Sequence, residues 1–149
     1  MTLKMDIPDL HRFLEKTFPE VDGTFRVDRL APMELDVTLL VQPYHLRPGG
    51  TVSGPSMFGL ADVGAYLTIL AMIGPKALTV TTNASIDFMR KPVAHENLVA
   101  QCRLLKLGRS LAVTDCLIYS AGTLSTPVAR ANLTYAIPPV GSAADVDMG

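Results

Sequence analysis

The sequence predicts an α+β domain in which a strongly curved antiparallel sheet of about six strands wraps a single apolar helix. Three observations support this prediction. Residues 56 to 73 form an apolar run of helical length, two strand-like segments precede it, and four follow it. With 149 residues, 48% of them hydrophobic, the chain is long enough to bury a core. We therefore expect one domain over residues 1–149, with an N-terminal helical segment over 1–20 and a loose tail over 138–149.

The segments before the apolar run are predicted to be one helix and two strands. Residues 8 to 18 repeat apolar side chains near helical spacing, which indicates a short amphipathic helix. From residue 24 to residue 41 apolar and polar residues alternate as in a strand, and Ala31-Pro32 divides this segment into two strands. Residues 42 to 55 contain three prolines and three glycines, which predicts a loop.

The apolar run carries one charged residue, Asp62. Because the run is apolar around most of the helical circumference, we predict a helix covered by protein on nearly all sides. An ionised carboxylate in such a place loses hydration at a cost on the order of several kcal/mol, which functional sites often bear. The alternative is a narrow exposed strip near the helix start, where a carboxylate also suits the helix dipole. A membrane span is a weaker alternative, because the run contains this aspartate and two interior glycines.

Four strand-like segments follow the helix, over residues 78–90, 97–107, 109–119 and 126–137. In the first, a period of two places polar side chains on one face and apolar ones on the other. Turns are predicted at Gly108 and at Ala121-Gly122, so the last three strands should form an antiparallel meander.

Charge and composition exclude several classes of function. The net charge of −1 comes from 13 basic and 14 acidic residues spread along the chain, so nucleic acid is not an expected partner. Cys102, Cys116 and the three histidines lie far apart without a CxxC motif, which predicts neither a metal site nor a cofactor. Small buried cysteines and the lack of a secretory signal favour the cytoplasm. A positive mean hydropathy with only 18% charged residues indicates more apolar surface than one monomer can bury, which favours an oligomer.

The residues just before the helix suit the stabilisation of a negatively charged oxygen. The Gly54 amide is among the unpaired donors at the positive end of the helix dipole, where an oxyanion hole can form. Pro55 fits the first helical turn, and the Ser53 hydroxyl can cap the helix. A purely structural capping role for Ser53-Gly54-Pro55 is the alternative.

Three motifs resemble the hotdog-fold thioesterases of the phenylacetate-pathway (PaaI-like) type. Ser53-Gly54-Pro55, followed by six residues and Asp62, resembles the family's His-Gly-Gly, six residues and an acidic residue on the central helix. Thr81 to Pro92 is similar to the family's strand that ends in an aromatic, an aliphatic, Arg and Pro. Leu107 to Ala112 resembles its Gly-Arg turn. The resemblance covers roughly residues 24 to 137 and implies a hotdog fold and an acyl-CoA thioesterase.

The resemblance also implies roles for single residues. Asp62 would be the general base for water or the nucleophile, and the Gly54 N–H would stabilise the oxyanion of a thioester bound between two subunits. Thr81 matches the Ser or Thr with which family members position water from the facing chain. An ordinary threonine on a polar strand face is the alternative. The implied assembly is a homodimer joined edge to edge by its sheets, often paired into a tetramer.

Candidate substrate-binding residues fall into two groups. Arg90, Lys91 and Arg109, with Ser110 beside the last, suit the phosphates of coenzyme A, which belongs to the substrate and is not a cofactor. Solvated strand ends are the alternative for these residues. The side chains that either line an acyl pocket or belong to the core are Met57, Phe58, Tyr66 and Met72.

Three positions depart from the family motif. Ser53 replaces the histidine, Pro55 replaces the second glycine, and Arg47 stands where the family often has an asparagine. Arg47 either pairs with Asp62 and weakens it as a base, or its loop bends elsewhere.

These departures leave two hypotheses open. The first is an acyl-CoA thioesterase that uses Asp62 and the Gly54 amide. The second is a non-catalytic hotdog protein that binds acyl-CoA or a fatty acyl ligand. A dehydratase or hydratase is a weaker third hypothesis, because those enzymes typically use a histidine and the central helix has none.

Overall fold

A computed structural model describes residues 2–139, 141 and 145–149, and this part of the chain forms two helices and one six-stranded sheet. The elements in chain order are α1 (Ile7–Thr17), β1 (Phe25–Ala31), β2 (Glu34–Leu39), α2 (Gly54–Ile73), β3 (Val80–Phe88), β4 (Leu98–Leu107), β5 (Leu111–Ser120) and β6 (Ala129–Ala136). Their spatial order in the sheet is β1-β2-β4-β5-β6-β3, and all neighbours are antiparallel. The sheet curves around α2, so the predicted fold and the predicted meander of β4, β5 and β6 are confirmed.

The limits of α2 follow from local sequence. At its start the Ser53 Oγ accepts a hydrogen bond from the Ser56 N–H (3.3 Å), and Pro55 occupies the first turn, where its missing N–H costs nothing. At its end Gly74 adopts φ +96°, a conformation that glycine accepts without steric cost, and its N–H donates to the Leu70 carbonyl (2.8 Å). The capping role predicted for Ser53 is therefore confirmed.

The two halves of α2 differ in how completely the chain covers them. Every residue from 64 to 72 is buried, as the apolar pattern predicts. The N-terminal half keeps an open strip at helical spacing, formed by Pro55, Phe58, Gly59, Asp62 and Val63, none of which is buried. The prediction that protein surrounds the helix on nearly all sides is therefore wrong for this half, at least within one chain. By length and composition α2 would suffice to cross a membrane, but the sheet and α1 enclose its C-terminal half.

Helix α1 covers the C-terminal part of α2. A reciprocal capping box starts it, in which the Asp6 and Asp9 carboxylates each accept a hydrogen bond from the other residue's N–H. Its apolar side chains Leu10, Phe13 and Leu14 are buried, and the Lys4 N–H donates to the Ala71 carbonyl on α2 (2.7 Å). The predicted amphipathic helix is confirmed. It begins and ends one residue earlier than predicted.

Strand β3 lies at the edge of the sheet and is the least covered strand. The predicted alternation puts Val80 and Phe88 on an apolar face, yet they are 53% and 52% exposed. Among the described residues, β6 is the one strand that pairs with β3, so one row of backbone hydrogen-bonding groups faces outward. This edge and the open strip of α2 expose apolar surface side by side.

The last five residues of the predicted loose tail, 145–149, contact the domain. Residues 140 and 142–144 lie outside the described part of the chain. The Lys76 ammonium pairs with the Asp145 carboxylate (2.7 Å), and the Val146 N–H donates to the Pro75 carbonyl (2.8 Å). These contacts hold the segment against the turn that links α2 to β3.

Helix α2 approaches the sheet closely at Gly64. A Cβ atom at this position would lie 2.6 Å from the Cys102 Sγ and 3.2 Å from a Val37 methyl carbon. The two cysteines face each other across β4 and β5, both buried, with 3.1 Å between their sulfur atoms. Glycine at residue 64 is therefore required by the approach of the helix to this pair.

We expect Gly64→Ala to destabilise the protein by up to about 2 kcal/mol. Overpacking against Cys102 costs about 1–3 kcal/mol, and the gain of about 1 kcal/mol in helix propensity offsets part of this cost. Urea denaturation measures the difference. The control is Cys102→Ala, which removes the Sγ atom that the new Cβ would meet, so Gly64→Ala should cost less in that background than in wild type. An equal cost in both backgrounds would contradict this packing argument.

Candidate active site

Asp62 lines a cavity of about 380 Å³ beside α2, which we call the Asp62 cavity. Its walls come from α1 and the turn after it, from α2, from the start of β3 and the segment before it, and from β6. Apart from Asp62 itself, the lining residues are Leu14, Phe18, Val21, Val63, Tyr66, Ala77, Thr79, Val80, Thr81 and Tyr135. The carboxylate is half-buried and borders an otherwise mostly apolar space.

Two hydroxyl groups hold the Asp62 side chain. The Thr81 hydroxyl donates to Asp62 Oδ1 (2.7 Å), and the Tyr135 hydroxyl contacts the same oxygen and the Asp62 carbonyl (2.7 Å). Both side-chain contacts use Oδ1, and Oδ2 accepts no hydrogen bond from the described residues. The carboxylate is thus oriented through one oxygen, and the other is free to accept a proton from water or to attack a carbonyl carbon.

Sequence reasoning missed Tyr135. This side chain lies on β6, is 1% exposed and sits 73 residues from Asp62. Burial raises the pKa of Tyr135, and the neighbouring Asp62 carboxylate raises it further, so the phenol stays protonated and acts as a donor. The sequence carried one signal for this residue: a tyrosine on the inward face of a predicted strand needs a hydrogen-bond partner for its buried hydroxyl.

Thr81 lies in the same chain as the carboxylate that it contacts. The resemblance implies that this hydroxyl positions water from the facing chain, whereas here it orients Asp62 of its own chain. The cause is the edge position of β3, whose first residues run beside α2 and pair with β6 at Tyr135. Within one chain Thr81 therefore holds the Asp62 side chain, and its predicted role toward water stays a prediction.

A second cavity, of about 370 Å³, lies at the N-terminus of α2, and we call it the Gly54 cavity. Three cationic residues line it together with Gly54, and no acidic residue among the described ones does. Its lining residues are Arg47, Thr51, Val52, Gly54, Met57, Phe88, Met89, Arg90, Lys91 and Pro92. The helix dipole and three positive side chains therefore favour an anion at this place.

The loop before α2 fixes Arg47 in the Gly54 cavity. Buried His45 accepts a hydrogen bond at Nδ1 from the Gln42 N–H (2.9 Å), and burial lowers the His45 pKa, so the ring is neutral. Gly50, at φ +82°, packs against the His95 ring, which leaves no room for a Cβ atom. Of the two alternatives for Arg47, the loop bends away, and within the described chain Arg47 forms no ion pair with Asp62.

The other candidate residues fall in different places. Met57 lines the Gly54 cavity, Tyr66 lines the Asp62 cavity, and Met72 is buried in the core. Phe58 lies on the open strip of α2. Arg109 and Ser110 lie exposed in the turn between β4 and β5 and line neither cavity. The structure therefore brings Arg47, Arg90 and Lys91 together and leaves Arg109 apart.

The two cavities of one chain cannot act on one carbonyl group. Asp62 follows Gly54 by eight residues, which is about 12 Å along a helix at 1.5 Å per residue. A base and an oxyanion donor must both lie about 3 Å from the reacting atoms. Each chain thus offers two half-sites: an oriented carboxylate, and a cationic cavity with a helix N-terminus.

Comparison with known proteins places the chain in a family. The family model described as "Thioesterase superfamily" matches residues 49–126, which contain α2 and most of both half-sites. A crystal structure from Silicibacter sp. TM1040, described as a candidate thioesterase, is 56% identical over 93% of this chain and 96% of its own, with a TM-score of 0.87.

Two further structures share the fold. A mutant of the phenylacetic acid degradation protein PaaI from Thermus thermophilus is 26% identical, with a TM-score of 0.68, over 80% of this chain and 99% of its own. A hypothetical thioesterase from Streptococcus pneumoniae TIGR4 was solved with coenzyme A. It is 19% identical, with a TM-score of 0.70, over 90% of this chain and 98% of its own. The chain belongs to the thioesterase superfamily and is a thioester hydrolase with the hotdog fold, similar to the PaaI type.

Proposed function

We propose that this protein hydrolyses acyl-CoA thioesters at a site shared by two copies of the chain. Asp62 acts as general base or nucleophile, and the Gly54 amide stabilises the oxyanion. The observation that carries the proposal is the Asp62 carboxylate, which Thr81 and Tyr135 orient through Oδ1 while Oδ2 stays free beside a mostly apolar cavity.

The chemistry uses the free oxygen of the carboxylate. In the general-base route, Asp62 Oδ2 takes a proton from water, the hydroxide oxygen bonds to the thioester carbon, and the carbonyl oxygen becomes negative. The Gly54 N–H at the helix N-terminus donates to that oxyanion. When the tetrahedral intermediate collapses, the C–S bond breaks and the thiolate takes up a proton. In the nucleophilic route Oδ2 attacks the carbon directly, the C–S bond breaks and releases the thiolate, and water then hydrolyses the mixed anhydride to the free acid and the Asp62 carboxylate.

Symmetric pairing of β3 edges would join the two half-sites. Thr81, at one end of β3, lies at the Asp62 cavity, and Phe88, at the other end, lies at the Gly54 cavity. A two-fold axis pairs identical strands in opposite directions, so one end of β3 meets the other end of its copy. The Asp62 cavity of one chain would then adjoin the Gly54 cavity of the partner subunit. The exposed Val80 and Phe88 and the open strip of α2 would be covered by the same contact.

The Gly54 cavity suits the phosphates of coenzyme A. Arg47, Arg90 and Lys91 supply three positive charges, and the Arg90 Nη1 donates to the Pro127 carbonyl (2.6 Å), which fixes its guanidinium. The fold relative from Streptococcus pneumoniae was solved with coenzyme A, which supports a ligand of this class.

A substrate panel tests the proposal. The purified protein is incubated with octanoyl-CoA and with octanoyl-pantetheine, which carries the same thioester without the nucleotide phosphates, and thiol release is followed. We expect the protein to hydrolyse both thioesters. The KM for octanoyl-CoA should be at least about tenfold lower than the KM for octanoyl-pantetheine, because each charge-assisted phosphate contact contributes about 1.5–3 kcal/mol. Light scattering in the same buffer measures the oligomeric state, which should be a dimer or a dimer of dimers.

Two controls sharpen this experiment. Lys91→Ala should raise the KM for octanoyl-CoA and leave that for octanoyl-pantetheine unchanged. Lys106→Ala, an exposed lysine on β4 outside both cavities, should change neither. Equal KM values for the two thioesters would exclude coenzyme A recognition, and an active monomer would exclude the shared site.

A further inference from the structure

We infer that the Asp62 cavity is the acyl subsite, that it selects uncharged apolar acyl groups, and that Phe18 at the end of α1 sets their length limit. This inference rests on the proposed function, because it takes the thioester carbon to lie at Asp62. It assigns a specificity role to the N-terminal helix, which lies outside residues 49–126 that match the family model.

The direction of the acyl group follows from the polarity of the cavity walls. The polar groups that hold the carboxylate, Thr81 and Tyr135, cluster around Asp62. Tyr66, one helical turn further along α2 and so about 6 Å away, begins an apolar wall that α1 completes with Leu14 and Phe18. The acyl chain of a substrate whose thioester carbonyl lies at Asp62 would therefore extend toward α1.

Aromatic rings form this far wall. The Tyr66 ring packs edge-on against Phe18, with 6.2 Å between centroids, and lies 6.0 Å from the Phe13 ring. The Tyr66 hydroxyl is already used, because it donates to the Ala77 carbonyl (2.9 Å). Tyr66 therefore presents its ring, and not a free polar group, to the cavity.

The cavity has no charge to receive a second carboxylate. Among the described lining residues there is no lysine, arginine or histidine, and Asp62 would repel an anionic group. Burial raises the pKa of Tyr66 to about 12, so its phenol stays neutral at any pH at which the enzyme works. Acyl groups that end in a carboxylate, such as succinyl, should therefore be poor substrates.

The volume bounds the size of the acyl group. If each non-hydrogen atom takes about the 30 Å³ that a water molecule occupies in the liquid, 380 Å³ holds on the order of ten atoms. This corresponds to a medium aliphatic chain or to an aryl-acetyl group. Phe18 follows α1 as its C-cap residue and is 45% exposed, so its ring ends the cavity without being part of the buried core.

The test compares chain-length profiles of wild type and Phe18→Ala. For wild type we expect kcat/KM to rise about fourfold with each added methylene, because this is the fold-change for burying one CH₂. The rise should continue to about eight to ten carbons, and kcat/KM should then level off or fall. Succinyl-CoA should be at least about 100-fold worse than butanoyl-CoA. In Phe18→Ala the optimum should move to longer chains by two or more carbons. Leu124→Ala, which removes an exposed apolar side chain outside the cavity, should keep the wild-type profile.

A binding measurement separates this inference from the proposed function. Calorimetry with thioether analogues of acyl-CoA, which cannot be hydrolysed, gives the chain-length dependence of Kd without turnover. A Kd that falls with chain length and a Phe18→Ala shift to longer chains would support the acyl subsite even if the protein proved inactive. A Kd that does not change with chain length, a Phe18→Ala binding profile equal to that of wild type, or binding of no analogue would overturn it.

Discussion

Asp62→Asn is expected to lower kcat for octanoyl-CoA hydrolysis by about 10²- to 10⁴-fold, the range that general-base catalysis contributes. The substitution keeps the size of the side chain, and its amide oxygen can still accept the hydrogen bonds that Thr81 and Tyr135 now give to Oδ1. The group at the position of Oδ2 becomes an NH₂, which can neither take a proton from water nor attack a carbonyl carbon. Continuous thiol-release assays measure the loss.

Asp115→Asn is the matched control for this substitution. Asp115 is also half-buried and accepts one hydrogen bond, from Asn132 Nδ2 (2.9 Å), but it lies in the middle of β5 and lines neither cavity. Its variant should keep wild-type kcat, and both variants should unfold at temperatures within a few degrees of wild type. Full activity in Asp62→Asn would exclude Asp62 both as base and as nucleophile.

Gly54→Pro is expected to lower kcat by about 10²- to 10³-fold, the cost of losing one oxyanion-hole donor. The backbone is suited to this substitution, because proline is favoured in the first turn of a helix. Ser53, the preceding residue, is already extended at φ −70° and ψ 156°, as the residue before a proline prefers. The substitution therefore removes the N–H with little change in the helix.

Gly54→Ala is the control for Gly54→Pro. Alanine keeps the N–H and adds a Cβ atom 3.3 Å from Cζ of Phe88, a tight contact that a small shift of the ring tip can relieve. Its kcat should stay within a fewfold of wild type. Equal losses in the alanine and proline variants would show that shape at this position, and not the amide, limits turnover.

Mixing the two inactive variants tests whether the site is shared. Subunits of Asp62→Asn and Gly54→Pro are exchanged at equal concentration under mild denaturant and reassembled. If each site takes its base from one chain and its oxyanion donor from the partner subunit, every mixed dimer has one intact site. About a quarter of wild-type activity should return, because half of randomly formed dimers are mixed. No recovery after demonstrated exchange would place base and donor in one chain.

The fold was predictable because local patterns of the sequence are sufficient to define it. The length of the apolar run, the period of two in the strands and the proline and glycine positions predicted α2, the six strands and the meander. The limits of α2 at Gly54 and Gly74 follow from capping and from positive φ, which are properties of a few neighbouring residues. The spacing of Gly54 and Asp62 on one helix was visible for the same reason.

The sequence by itself therefore determined the helix, the strands and the two chemical groups that lie eight residues apart on α2. Only the tertiary structure decided that Tyr135 joins Thr81 at the carboxylate, that Arg47 lies with Gly54, and that one wall of the Asp62 cavity comes from α1. It also decided that β3 and one strip of α2 stay uncovered within the chain. The physical reason is the same in each case: periodicity and capping act between residues a few positions apart, whereas these contacts join residues that only the closed sheet brings together.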